Sequence, residues 1–135
     1  MKKFEGEKRI YAIVAASIEG QNGKVAQPLG RQVAQVAHVV SKLRFAEAAR
    51  PIREEEQITY RLFEPITTIV LQARDTAELQ HVWDLLRKKK IPPTTFADNN
   101  PEYGLGNYIT AICTPPVFKA QVEGILDYLP LWGVK

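Results

Sequence analysis

Two groups of residues in this chain have types and spacings that chemistry can use. The first is Asp98 followed, twelve residues later, by Thr110. A carboxylate can orient or deprotonate a water, and a hydroxyl facing the same cleft can add a hydrogen bond. Asp98 equally fits a local role, closing an Asx-turn with Asn99 and Asn100. The second group is Arg31, Gln35, His38 and Lys42, spaced four, three and four apart. At about 100° per residue these four gather on one side of a helix. That side stacks donors able to meet phosphate or carbonyl oxygens, although a solvated helix face reads the same way.

The remaining candidates are weaker. His38 and His81 lie far apart with no metal-ligand spacing, so no zinc site is expected, and no motif calls for another metal or a cofactor. His38 fits a packed helix histidine as well as a base. Cys113 sits in an apolar run and reads as core. Neither Ser17 nor Ser41 stands in a nucleophile elbow. Gly104-Leu105-Gly106 lacks the third glycine and the following helix of a dinucleotide loop.

The elements that must hold these residues can be taken in order. Residues 1–8 are a loose, charged lead-in. Arg9 to Ser17 is apolar throughout, as a strand covered on both faces should be. Glu19 to Leu29, with Gly20, Gly23 and Pro28, is expected to be a loop feeding a helix that starts near Pro28 and runs to about Ala49. In that helix Val33, Val36, Ala37, Val40 and Leu43 form the expected apolar face. Glu54-Glu55-Glu56 reads as a solvated run, and Tyr60 to Pro65 carries no clear pattern. Thr67 to Ala73 is strand-like by its β-branched content. Asp75 caps a helix through Leu86 that closes on Arg87-Lys88-Lys89-Lys90. Cations there offset the helix dipole, and they also suit an RNA contact.

Thr94 to Ala97 is a short strand that delivers Asp98 at its end, and Tyr108 to Thr114 is a fourth strand. A last helix is expected after Pro115-Pro116, with Val117, Val122, Ile125, Leu126 and Leu129 facing inward and Trp132 packing the tail down. The order β-α-β-α-β-β-α predicts an α/β fold, a four-stranded mixed sheet between helices, with sites beyond the carboxyl ends of strands.

Length and composition agree with one domain over residues 1–135. Hydrophobic residues make up 45% and charged residues 24%, as in ordinary globular proteins. The net charge of +3 permits an anionic partner without requiring one. One cysteine cannot form an intramolecular disulfide, which fits a reducing cytoplasm. No run approaches the ~18 apolar residues of a membrane span.

Read together, the two informative stretches carry a resemblance. Gly30-Arg31-Gln32-Val33-Ala34-Gln35-Val36-Ala37-His38 resembles the G-K-x-A-A-Q-x-x-H signature of the archaeal and eukaryotic type of peptidyl-tRNA hydrolase. Phe96-Ala97-Asp98, Thr110-Ala111-Ile112 and Pro115-Pro116 resemble that family's Asp-Ala-Gly…Thr-Val-Leu…Pro segment, with the spacing from aspartate to threonine kept. The resemblance spans about residues 9 to 130.

It implies a four-stranded mixed sheet between helices, often dimeric, and hydrolysis of the ester that joins a peptide to tRNA. Carried over by position, the catalytic residues are Arg31, Asp98 and Thr110. Gln35 and His38 adjoin them, and Glu102 stands where the family has a threonine. Arg31 replaces the family's lysine, and Asn99-Asn100 replaces its Ala-Gly. These departures leave two expectations in play: a peptidyl-tRNA hydrolase, or a catalytically inactive fold relative that serves as a binding or regulatory module. The implied partners are tRNA or peptidyl-tRNA and a second copy of the chain.

Overall fold

The computed structural model describes residues 6–20, 23–49, 66–98 and 108–133. The acidic run at 54–56, the stretch from Tyr60 to Pro65, and the loop 99–107 with Glu102 lie outside the described residues. The elements are β1 (Arg9–Gly20), β2 (Gly23–Ala26), α1 (Leu29–Ala49), β3 (Thr67–Asp75), α2 (Thr76–Lys88), β4 (Thr94–Asp98) and β5 (Tyr108–Cys113), followed by a 3₁₀ turn at Lys119–Val122.

The fold is α/β, with a mixed sheet of five strands. Strand β1, buried from Ile10 to Ala15, is its centre. It pairs in parallel with β3, Tyr11 opposite Ile69, and antiparallel with β5, Ile13 opposite Ile112. Strand β4 pairs antiparallel with β5 on the outer side. Ser17 has Asp75 on one side and Ala26 on the other, so β2 and β3 flank β1 on opposite sides. Strand β2 is the fifth strand. The stretch expected to be a loop instead continues β1 to Gly20 and returns as a hairpin, Glu19 opposite Lys24. Alternating side chains did not announce it, because all four β2 residues are exposed.

Alternation along β1 divides the core between the two faces. Tyr11, Ile13 and Ala15 join Leu79, Val82 and Leu86 of α2 and Val122, Ile125, Leu126 and Leu129 of the C-terminal segment. Ile10, Ala12 and Val14 join Val39 and Leu43 of α1, with Phe96 and Trp132 packed against them. One helix therefore covers each face.

The last segment is not an α-helix. Its five expected inward residues are all buried, but 3₁₀ and turn geometry puts them there. Glu123 is extended at ψ 139° and Gly124 adopts φ +83°, a left-handed conformation that glycine accepts and that ends helical winding. The tail then covers the free side of β3. Trp132 N–H donates to Val70 O at 2.9 Å, and Gln72 N–H donates to Pro130 O at 2.9 Å. An otherwise open strand edge is thereby protected.

The inward face of helix α1 is rotated from the one expected: Val36, Val40 and Leu43 do pack inward, but Val33 and Ala37 do not. Gln32, Gln35, Val39 and Leu43 are buried, whereas Val33 is 50% exposed and Ala37 is exposed. The inward stripe does have helical spacing, but two of its four members are amides. Counting only apolar residues as inward rotates the predicted face away from the real one.

Candidate functional site

Strands β1 and β3 run in one direction, and β4 shares it because it is antiparallel to β5, which is antiparallel to β1. Their carboxyl ends therefore lie along one edge of the sheet. Helix α1 starts at that edge, since Gln27 just before it donates its backbone N–H to Ala16 O and its Nε2 to Ala15 O, at 2.7 and 2.6 Å.

Two contacts fix how α1 crosses β4. Lys42 Nζ donates to Thr95 O at 2.9 Å. One turn earlier, the His38 ring stacks on Phe96, with centroids 5.2 Å apart and planes 15° apart. The helix and the strand thus run in opposite senses. Going back from His38 to Arg31 covers about 10 Å of helix axis, and going forward from Phe96 to Asp98 covers about 7 Å of strand. Arg31, on the first turn of α1, and Asp98, the last residue of β4, arrive at the same carboxyl edge.

Thr110 occupies a bulge. Phe96 is opposite Ala111 and Ala97 is opposite Ile109, which leaves Thr110 as the extra residue on β5. It is 1% exposed, and its hydroxyl donates to Phe96 O at 3.4 Å. A hydroxyl so placed holds the bulge together two residues before Asp98, and does not stand open to a ligand. His38, by contrast, is exposed at the outer rim of the α1–β4 contact.

Gln35 was expected among the outward donors, and the structure buries it at 2% exposure. It belongs to an amide network that sequence reasoning did not find. Gln35 Nε2 donates to Gln27 Oε1 at 2.7 Å, and Gln32 Nε2 donates to Gln27 O at 2.8 Å. Gln32 Oε1 accepts from both Gln72 Nε2 and Trp132 Nε1, each at 2.9 Å. The network ties the β1 end, the start of α1, β3 and the tail into one unit. It is neutral and therefore carries no charge-burial cost; what it supplies is a fixed position for the turn that bears Arg31. The legible clue was Gln32 and Gln35 in line with Val39 and Leu43.

Next to this edge, Asp75 caps α2 by accepting from Glu78 N–H at 2.8 Å and pairs with Lys24 of β2. The Lys24 ammonium and the Glu78 N–H hold the Asp75 carboxyl below the usual carboxylate range, while Asp75 raises Lys24. Cys113 is fully buried, and desolvation pushes its thiol up to about 12, so it is a core residue. Among the described residues no cluster of histidine, cysteine, aspartate or glutamate is arranged to hold a metal. No helix among them is long and apolar enough to cross a membrane.

No protein-family model matches the chain, and no curated protein matches it. Among solved structures it is similar to a protein of unknown function from Agrobacterium tumefaciens strain C58. The TM-score is 0.57 and the identity 10%, over 94% of this chain and 98% of the other. At that identity the likeness extends to the fold alone.

Proposed function

We propose that the chain is a peptidyl-tRNA hydrolase-like protein that cleaves the ester between a peptide and tRNA at the carboxyl edge of its sheet. The observation that supports this reading is the antiparallel crossing of α1 over β4, which brings the Arg31 turn and the Asp98 strand end to one edge. An ester needs an oriented water and a place for the developing oxyanion. Asp98 orients the water as it attacks the acyl carbon. The bond to the ribose oxygen breaks, and the products are a peptide carboxylate and a tRNA hydroxyl. Arg31 supplies the positive charge, either to the oxyanion or to the adjoining tRNA phosphate, for which a guanidinium is well shaped. Thr110 contributes indirectly in this account, by fixing the bulge that leads into Asp98.

A second reading has one observation in its favour. The Thr110 hydroxyl is buried against a backbone carbonyl, which removes one donor from a hydrolytic site and fits a relative that binds RNA without cleaving it. The two readings separate in one assay, release of free tRNA from peptidyl-tRNA by the wild type and by Asp98→Ala. Hydrolysis predicts at least about a hundredfold loss in the variant, with thermal unfolding little changed. A variant as active as the wild type would remove Asp98 from the mechanism. Binding of the substrate without release by the wild type would favour the second reading.

A further inference from the structure

The opposite edge of the sheet, where β1 begins, carries a group of exposed cations. Lys8 stands with its ammonium 5.5 Å from the centre of the Phe118 ring. Lys119 follows Phe118, and the strand start is locked to this segment by paired hydrogen bonds between Arg9 and Val117, at 2.8 and 2.9 Å. Helix α2, having started at the carboxyl edge, ends here on Arg87, Lys88, Lys89 and Lys90. Lys89 Nζ reaches Glu123 O at 3.4 Å, joining the helix end to the 3₁₀ segment. Between them lies a cavity of about 290 Å³ lined by Lys89, Ile91, Ala120 and Gln121.

All six of these cations are exposed. Among the described residues the carboxylates beside them are Glu7, which accepts from Thr67 Oγ1 at 2.9 Å, Asp84, one turn before Lys88 on α2, Glu123, and the exposed Asp127, which accepts from the Gly124 N–H at 2.9 Å. Six cations against these four carboxylates leave an excess of two positive charges at this edge, in a chain whose net charge is +3.

Dipole compensation does not account for the whole set. It reaches only the last turn of α2 and leaves Lys8 and Lys119 unexplained. Lys90 is a further clue. The helix ends in a Schellman motif, Ile91 N–H to Leu86 O and Lys90 N–H to Arg87 O, both 2.9 Å. This motif puts Lys90 at φ +62°, where glycine would be easier. A lysine is held there at a cost in backbone energy. Beside it the Arg87 guanidinium lies 4.7 Å from the centre of the Trp83 ring, a flat cationic platform on which a base can stack.

We infer that this amino edge is an RNA-backbone contact surface, separate from the carboxyl-edge site. The five lysines, Lys8, Lys88, Lys89, Lys90 and Lys119, act as mobile point charges for phosphates, and the Arg87–Trp83 pair offers a stacking face. The inference rests on charge placement and does not require that the chain hydrolyse anything. Loss of hydrolysis with RNA binding intact would sink the proposed function and leave this surface standing.

The test is a polarisation titration of the full chain against fluorescent deacylated tRNA, at several salt concentrations between about 50 and 200 mM. The triple variant Lys88→Gln/Lys90→Gln/Lys119→Gln should bind at least about tenfold more weakly at the lower salt. It should also flatten the slope of log affinity against log salt by about 2, given roughly 0.7–0.9 per phosphate contact. Because the triple variant alters the end of α2, the double variant Lys8→Gln/Lys119→Gln, which leaves that helix untouched, should flatten the slope by about 1 or more. Arg74→Gln, a cation at the other edge, should keep the wild-type slope. A wild type that does not bind tRNA at about 50 mM salt would overturn the inference, as would unchanged slopes in both lysine variants. Binding to phosphatidylserine vesicles with none to tRNA would overturn it in favour of a lipid surface.

Discussion

Replacing Gln32 by alanine probes the structural feature that distinguishes this molecule from its sequence-based expectation. Gln32 is 3% exposed and makes three side-chain hydrogen bonds, donating to Gln27 O and accepting from Gln72 and Trp132. Each net bond is worth about 1 kcal/mol. Gln72 and Trp132 are half-buried, so water can partly replace what they lose, whereas Gln27 O sits under the helix. The truncated side chain also leaves a small void. The expected loss is about 2–3 kcal/mol, or a fall of roughly 6–10 °C in melting temperature for a chain of this size. Gln32→Met fills the volume without the bonds and should recover only the packing part. Val33→Ser, one residue along on the exposed face, should stay within about 0.5 kcal/mol. Urea unfolding followed by circular dichroism measures all three. If Gln32→Ala matched the wild type, or Val33→Ser cost more than about 1.5 kcal/mol, the inward face of α1 would be wrongly assigned.

Further outcomes follow from neighbouring residues. The Asp75 carboxyl is lowered by Lys24 and the Glu78 N–H, so its contribution is present above the unfolded carboxylate value near 4 and is lost as pH falls through the lowered folded value. Lys24 is raised, so its contribution is present below the unfolded lysine value near 10.4 and is lost as pH rises through the raised one. Melting temperature against pH should show both limbs. Asp75→Asn should flatten both, because each depends on the pair, and Asp75→Ala should cost about 1 kcal/mol more through the lost helix cap. The Cys113 thiol, buried and pushed up to about 12, should react with an aromatic disulfide reagent at pH 8 only as fast as the protein opens. Prompt stoichiometric reaction of the native protein would show that the thiol is accessible.

Much of the architecture was legible because strong local signals and packing agreed. The β-branched run at Thr67, the Asp75 cap with Glu78 three residues on, and the two-sided burial of β1 all appear where periodicity and capping place them. Three features were hidden, each for a physical reason. The β2 hairpin forms from exposed residues and leaves no hydrophobic alternation to read. The C-terminal segment has helical inward spacing, but the extended Glu123 and left-handed Gly124 convert it to 3₁₀ and turns. The inward face of α1 begins with amides, and a pattern that counts apolar residues assigns Val33 and Ala37 in place of Gln32 and Gln35.

The candidate site divides the same way. The first turn of α1, which bears Arg31, and the end of β4 at Asp98 both lie at the carboxyl edge. Gln35 proves to be scaffold, and Thr110 sits inside a bulge that no single-sequence spacing reveals.

The most direct measurement is a time course of tRNA release from peptidyl-tRNA by the wild-type chain, with Asp98→Ala and Arg31→Gln in parallel. The account predicts turnover by the wild type, near-complete loss in Asp98→Ala and a substantial loss in Arg31→Gln, with all three melting alike. No release by the wild type even with protein in excess over substrate would contradict it, as would full activity in either variant.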